Sequence, residues 1–157
     1  MSDLLSIHIG ERPWMPSPDA EEVETLDFYN IPLAGLLTQH GATYLFVCAA
    51  GEEETANVWL YAHLNEQEAS DLLGAREKEL VREMARCLTQ RHVVAALAAN
   101  HRIVSSASFE THDEAPGRMV RRFLSLERAR LREREVQLTA LDRDPSLDPD
   151  DAQLSLV

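Results

Sequence analysis

The sequence predicts an α+β fold: an antiparallel sheet made of a meander plus a hairpin, packed by two main helices, with a disordered acidic C-terminal tail. Three observations carry this. Apolar runs of strand length alternate with turn residues between residues 24 and 64; apolar side chains recur at helical spacing behind Asn65; and Arg118 to Leu141 contains neither proline nor glycine. At 157 residues the chain has the length of one domain with tails, enough to bury roughly two thirds of its unfolded surface in a single core. The expected division is an N-terminal arm at 1–23, one α+β domain at 24–141 and a flexible acidic tail at 142–157.

In the arm, Leu4, Leu5, Ile7 and Ile9 suggest a short edge strand, followed by Arg12-Pro13-Trp14-Met15-Pro16-Ser17-Pro18. Three prolines in six residues argue against regular structure there. Trp14 is expected to anchor the arm on the body.

Leu26-Asp27-Phe28-Tyr29 reads as a strand that stops at Asn30-Ile31-Pro32, and Leu33 to Gln39 as a second, weakened by Gly35. After a turn at His40-Gly41, Tyr44 to Ala49 is a continuous apolar run suited to a central strand. Gly51-Glu52-Glu53-Glu54 makes the next turn. Val58, Leu60, Ala62 and Leu64 then alternate with Trp59, Tyr61 and His63, which places the two sets on opposite faces. The stretch Phe28-Tyr29-Asn30-x-Pro32-Leu33-x-Gly35-Leu36 resembles uncharacterised small bacterial proteins that carry a Tyr-Asp-x-Pro turn between their first strands. That resemblance implies a fold and gives Tyr29 and Asn30 no functional role.

Asn65 with Glu68 forms a capping-box pattern, so a helix is expected from Glu66. Ala69, Leu72, Leu73, Leu80, Val81, Met84, Cys87 and Leu88 share one side of it, and Gly74 should kink or split it. Residues 91–110, with Val93-Val94, Asn100-His101 and alternating Ile103, Ser105, Ala107 and Phe109, read as a hairpin rather than more helix. A polar loop from Thr111 ends at Pro116-Gly117. In the helix that follows, Met119, Val120, Phe123, Leu124, Leu126, Leu131 and Leu138 supply an apolar side, near its first half, that should pack on the sheet. Beyond Leu131 the apolar pattern thins, so the 118–141 helix should protrude or self-associate with another copy.

A net charge of −12 argues against indiscriminate binding to nucleic acid. The charge is unevenly placed. Residues 1–27 carry seven acids against Arg12, and residues 142–157 five against Arg143, whereas residues 117–134 hold seven arginines against Glu127 and Glu133. Arg121, Arg122, Arg128, Arg130, Arg132 and Arg134 are candidate phosphate contacts. A solvated face with intrahelical pairs such as Arg130 and Glu133 is the ordinary account and the favoured one.

Two cysteines, Cys48 and Cys87, with no secretory signal fit a reducing, cytoplasmic setting, and no apolar stretch approaches the ~18 residues of a membrane-spanning helix. Cys48 should behave as a small hydrophobe. The histidines are scattered, and His92 and His101 are expected as a surface pair across the hairpin. There is no close Cys/His spacing, glycine-rich phosphate loop or activated nucleophile, so no metal, no cofactor and no catalytic residue is assigned.

The tail supplies the most specific signal. Gln153-Leu154-Ser155-Leu156-Val157 follows Asp148-Pro149-Asp150-Asp151, a spacer that cannot bury enough apolar surface to order itself. The pentapeptide resembles the motif, most commonly Gln-Leu-Ser/Asp-Leu-Phe, by which bacterial replication and repair proteins dock on the DNA polymerase sliding clamp. By that resemblance Leu156 and Val157 would fill the clamp's hydrophobic pocket, Gln153 would reach a polar subsite, and Leu154 and Ser155 would bridge them. Val157 is smaller than phenylalanine and carries the chain carboxylate, and a few leucines offset by ordering cost imply micromolar affinity. The resemblance implies a non-enzymatic accessory or regulatory protein of bacterial DNA replication or repair, reaching DNA indirectly through the clamp. Other readings stay open: an acidic inhibitor or immunity-type protein that blocks a basic partner, a small nuclease or hydrolase, and capture of Ser155-x-Val157 by a PDZ domain.

Overall fold

Alternation and turn chemistry build a six-stranded antiparallel sheet in which the strand order is the chain order. The structure, a computed structural model, describes residues 6–51, 56–111 and 115–133, with the side chains of Phe109 and of residues 127–133 outside that description. The elements are β1 (Glu21–Tyr29), β2 (Ile31–Gln39), β3 (Ala42–Gly51), β4 (Ala56–Leu64), α1 (Glu66–Gly74), α2 (Glu77–Arg86), β5 (His92–Ala99), β6 (Arg102–Glu110) and α3 (Pro116–Glu133). The expected α+β meander, hairpin and packing helices are all present. The α1–α2 pair is inserted between β4 and β5, which nevertheless pair directly from Ala56↔Ala99 to Ala62↔Val93.

The turns follow local chemistry. Gln39 pairs with Ala42 across His40 (φ 54°) and Gly41 (φ 79°), and Ala99 pairs with Arg102 across Asn100 (φ 53°) and His101 (φ 65°). Two successive left-handed residues give the turn whose twist matches that of the flanking strands. Between Tyr29 and Ile31 the chain reverses on Asn30 alone, at φ 65°; asparagine tolerates that region better than most residues.

Several boundaries differ from expectation. β1 begins at Glu21 rather than near Leu26, because pairing with Thr38 and Leu37 overrides the low strand propensity of Glu21 and Glu22. Ser6 to Ile9 is not a strand; Leu4 and Leu5 lie outside the described residues. The proline run is more regular than expected: Met15 N–H donates to the Arg12 carbonyl at 2.9 Å, a tight turn with Pro13 at its favoured second position. Gly74 does end a helix, and α2 restarts after Ala75 and Arg76, both extended. α3 starts at Pro116, two residues before the expected Arg118, since proline suits a first helical turn where no amide partner is required. The expected stretch 134–141 lies outside the described residues.

The sheet is buried on both faces. On one, Leu45, Val47, Val58, Leu60, Val93 and Leu97 meet Leu72, Met84, Cys87 and Leu88 of the α1–α2 segment and Met119, Val120, Phe123 and Leu124 of α3. The capping box at Asn65 and Glu68 sets where α1 leaves β4. Leu73 and Leu126, expected on these apolar faces, are instead exposed, Leu126 by 69%.

On the other face Phe46, Trp59 and Tyr61 are fully buried with Leu33, Leu37, Cys48 and Ala96, and the arm supplies Ile7, Trp14 and Met15. Trp59 lies between small register partners, Cys48 and Ala96, which leave room for the indole. Tyr61 hydroxyl donates to the Pro13 carbonyl at 2.7 Å, fastening the arm over this face. Gly10 N–H donates to Ile103 carbonyl and Ile103 N–H to Glu11 carbonyl, so the arm also pairs with the start of β6.

Gly35 has its own packing reason. A Cβ there would sit 2.6 Å from the Glu24 carbonyl and 2.8 Å from the Phe46 ring, which is its cross-strand partner. The aromatic ring covers the backbone of the glycine, so the weak point seen in the sequence is where Phe46 fits. Gly35→Ala is expected to lower stability by about 1–3 kcal/mol in urea unfolding; an unchanged midpoint would show that β1 and the ring give way freely.

Candidate functional site

The residues singled out from sequence are only partly within view. Gln153, Leu154, Ser155, Leu156 and Val157 lie outside the described residues, as does Arg134. Arg121 and Arg122 are exposed on α3, where the Arg122 guanidinium donates to the Glu110 carbonyl at 3.2 Å. Arg128, Arg130 and Arg132 belong to the α3 backbone, with side chains outside the description.

The expected His92–His101 pair does not form. His92 opens β5 and stands 3.7 Å from Glu110, whereas His101 sits in the turn at the other end of the same strand. One residue pairs at the base of the hairpin and the other makes its tip. Neither Cys48 nor Cys87 is in a disulfide, and both are buried. Burial pushes the Cys87 thiol up to about 11, the reverse of what a nucleophile requires.

Ser17, Asp19 and His40 come together where the arm meets the β2–β3 turn. Ser17 hydroxyl donates to Asp19 at 2.6 Å, and Asp19 faces His40 at 3.0 Å. The Ser17 hydrogen bond, before any contribution of His40, holds the Asp19 carboxyl below the usual range. The hydroxyl is turned to the carboxylate and not to the imidazole, and Ser17 is itself fully buried, so the three do not form the serine–imidazole contact of an activated nucleophile. Among the described residues no three of His, Cys, Asp and Glu are grouped to hold a metal ion. No helix among them is long and apolar enough to cross a membrane.

What the fold does assemble is a cavity of about 400 Å³ at the turn end of the sheet, lined by Arg12, Trp14, Asn30, Ile31, Pro32, Asn100, His101 and Arg102. The tip of the first hairpin and the tip of the last border it together. Arg12 and Trp14 of the arm lie between the two tips in that lining. Trp14 makes an edge contact with His101 at 5.9 Å and a tilted one with Trp59 at 6.2 Å, so the anchor expected from sequence rests on those two rings. Arg102 Nη1 donates to the Gly10 carbonyl at 2.8 Å, which fixes its guanidinium at the rim. Sequence reasoning marked Asn30 and Asn100-His101 as turns and left the cavity unseen, because nothing local says that two turns 70 residues apart will meet.

A second polar cluster is architectural. Arg91 donates to Glu68 from both terminal nitrogens, at 3.2 and 2.6 Å, and also to the His63 carbonyl. Thr111 hydroxyl reaches the Leu88 carbonyl at 3.1 Å, and Arg91 N–H donates to Thr111 hydroxyl at the same distance. The cluster ties the end of β4, the start of α1, the entry to β5 and the exit from β6.

Comparison with known proteins returned no match: no family model, no curated protein and no solved structure corresponds to this chain.

The Arg91–Glu68 pair is mostly shielded, with side chains 23% and 14% exposed. The Arg91 hydrogen bonds, opposed in part by burial, hold the Glu68 carboxyl below its ordinary range. A carboxyl depressed by folding stabilises fully above its unfolded value, and the contribution disappears as pH falls through the lower folded value. Arg91→Ala is therefore expected to cost about 1–3 kcal/mol at neutral pH. The gap from the parent should narrow as pH drops below about 4, measured by denaturant unfolding across pH.

Proposed function

We propose that the chain is a non-enzymatic accessory or regulatory protein of bacterial DNA replication or repair, docked on the polymerase sliding clamp through Gln153, Leu154, Ser155, Leu156 and Val157. The pentapeptide behind its Asp-Pro-Asp-Asp spacer carries the reading. Among the described residues, α3 packs on the core through Met119, Val120, Phe123 and Leu124. A weak dock acts by effective concentration: it holds the body near the clamp and its DNA without new contacts to either. Phosphate contact by the α3 arginines would add to that tether.

One feature favours a second reading, an acidic inhibitor of a basic partner. β1 is an edge strand whose Glu21, Glu22 and Glu24 are exposed, and the same strand exposes Val23, Phe28 and Tyr29, with Phe28 61% in solvent. Acids around apolar side chains form a surface on which a cationic protein would be steered and then held.

Removing residues 153–157 is expected to abolish retention on immobilised clamp while leaving the melting temperature unchanged. Retention that survives the deletion would overturn the docking role. Capture of a basic partner that weakens steeply with salt and persists without the peptide would establish the second reading instead.

A further inference from the structure

We propose that the cavity at the turn end of the sheet binds a small phosphate ester carried on a planar ring, the chemistry of a mononucleotide. This is independent of the docking peptide and rests on how the cavity is lined. In a chain of net charge −12, an anion is repelled from most of the surface. Yet Arg12, the one basic residue among the first 27 besides His8, stands at this cavity, together with Arg102 and His101. Two guanidinium groups from different segments offer the planar donor forks that suit phosphate oxygens.

The remaining lining suits the rest of such a ligand. Trp14 and His101 are the aromatic members of the lining, and base-on-aromatic stacking is tolerant of which base is offered. Asn30 and Asn100 bring amides that both donate and accept, the pattern needed at a base edge or a sugar hydroxyl. About 400 Å³ falls in the range of small-ligand sites.

The cavity is also held in shape. Arg102 is fixed by the Gly10 carbonyl, Trp14 by the Arg12–Met15 turn and by Trp59. Asn30, Asn100 and His101 are held by the two hairpin turns that border the cavity.

The test is calorimetric titration of the full chain at low salt with the four ribonucleoside 5′-monophosphates, with inorganic phosphate and adenosine as separate arms. At least one monophosphate should bind with a submillimolar Kd, and phosphate or adenosine alone should bind at least about tenfold more weakly. Arg12→Ala should weaken the monophosphate by about tenfold with an unchanged melting temperature, since this side chain is exposed and outside both apolar clusters. Arg102→Ala should weaken it as well. Absence of binding to all four monophosphates, equal binding of inorganic phosphate, or unchanged affinity in Arg12→Ala would each overturn the proposal.

Discussion

The structure depends on covering a sheet that has no face fit for water. β3 and β4 are apolar on both sides: Leu45, Val47, Val58 and Leu60 point one way, Phe46, Cys48, Trp59 and Tyr61 the other. Antiparallel sheets commonly leave one face solvated, and this one cannot. Three helices supply one cover. The other is supplied by a short arm, and the small residues Ala96 and Gly35 leave room for Trp59 and Phe46. The Tyr61–Pro13 hydrogen bond matters because it is the polar link at the centre of that second cover. Leaving its buried acceptor unpaired would cost about 1–3 kcal/mol.

Much of the fold was legible because it is written locally. Period-two alternation located β4 and sorted its two faces correctly, His40-Gly41 and Asn100-His101 marked two hairpin turns, and Asn65 with Glu68 marked a helix start. Gly74 announced a break that separates α1 from α2. Where local signals misled, a partner strand or the solvent decided: Glu21 and Glu22 are strand because β2 lies beside them, and Leu126 lies on the face of α3 turned to solvent. The cavity was illegible for a related reason. Arg12, Asn30 and Arg102 become neighbours only in the assembled fold, which no window of residues encodes. His92 and His101 fail in the opposite sense, near in sequence and at opposite ends of one strand.

The two edges of the sheet are managed differently. β6 is covered at Ile103 by Gly10 and Glu11 of the arm. β1 has no such cover among the described residues; instead it carries exposed glutamates and its register against β2 is interrupted between Glu22 and Glu24 and again around Asp27. Like charges and irregular spacing are what keep a bare edge from pairing with its own kind. The same acids leave the strand open to a cationic partner, so self-avoidance and selective attraction arise from one set of side chains.

The arm's attachments have a consequence for how the molecule is made. Its contacts reach forward 48 residues to Tyr61 and 92 residues to Arg102. During synthesis the arm precedes both of its partners, and its anchorage at Arg102 comes after that at Tyr61. Until β6 has been synthesised, Phe46 and Trp59 have no complete shelter, and the nascent chain carries an aromatic surface that other proteins can seize. Chaperone demand should thus persist until β6 has been made.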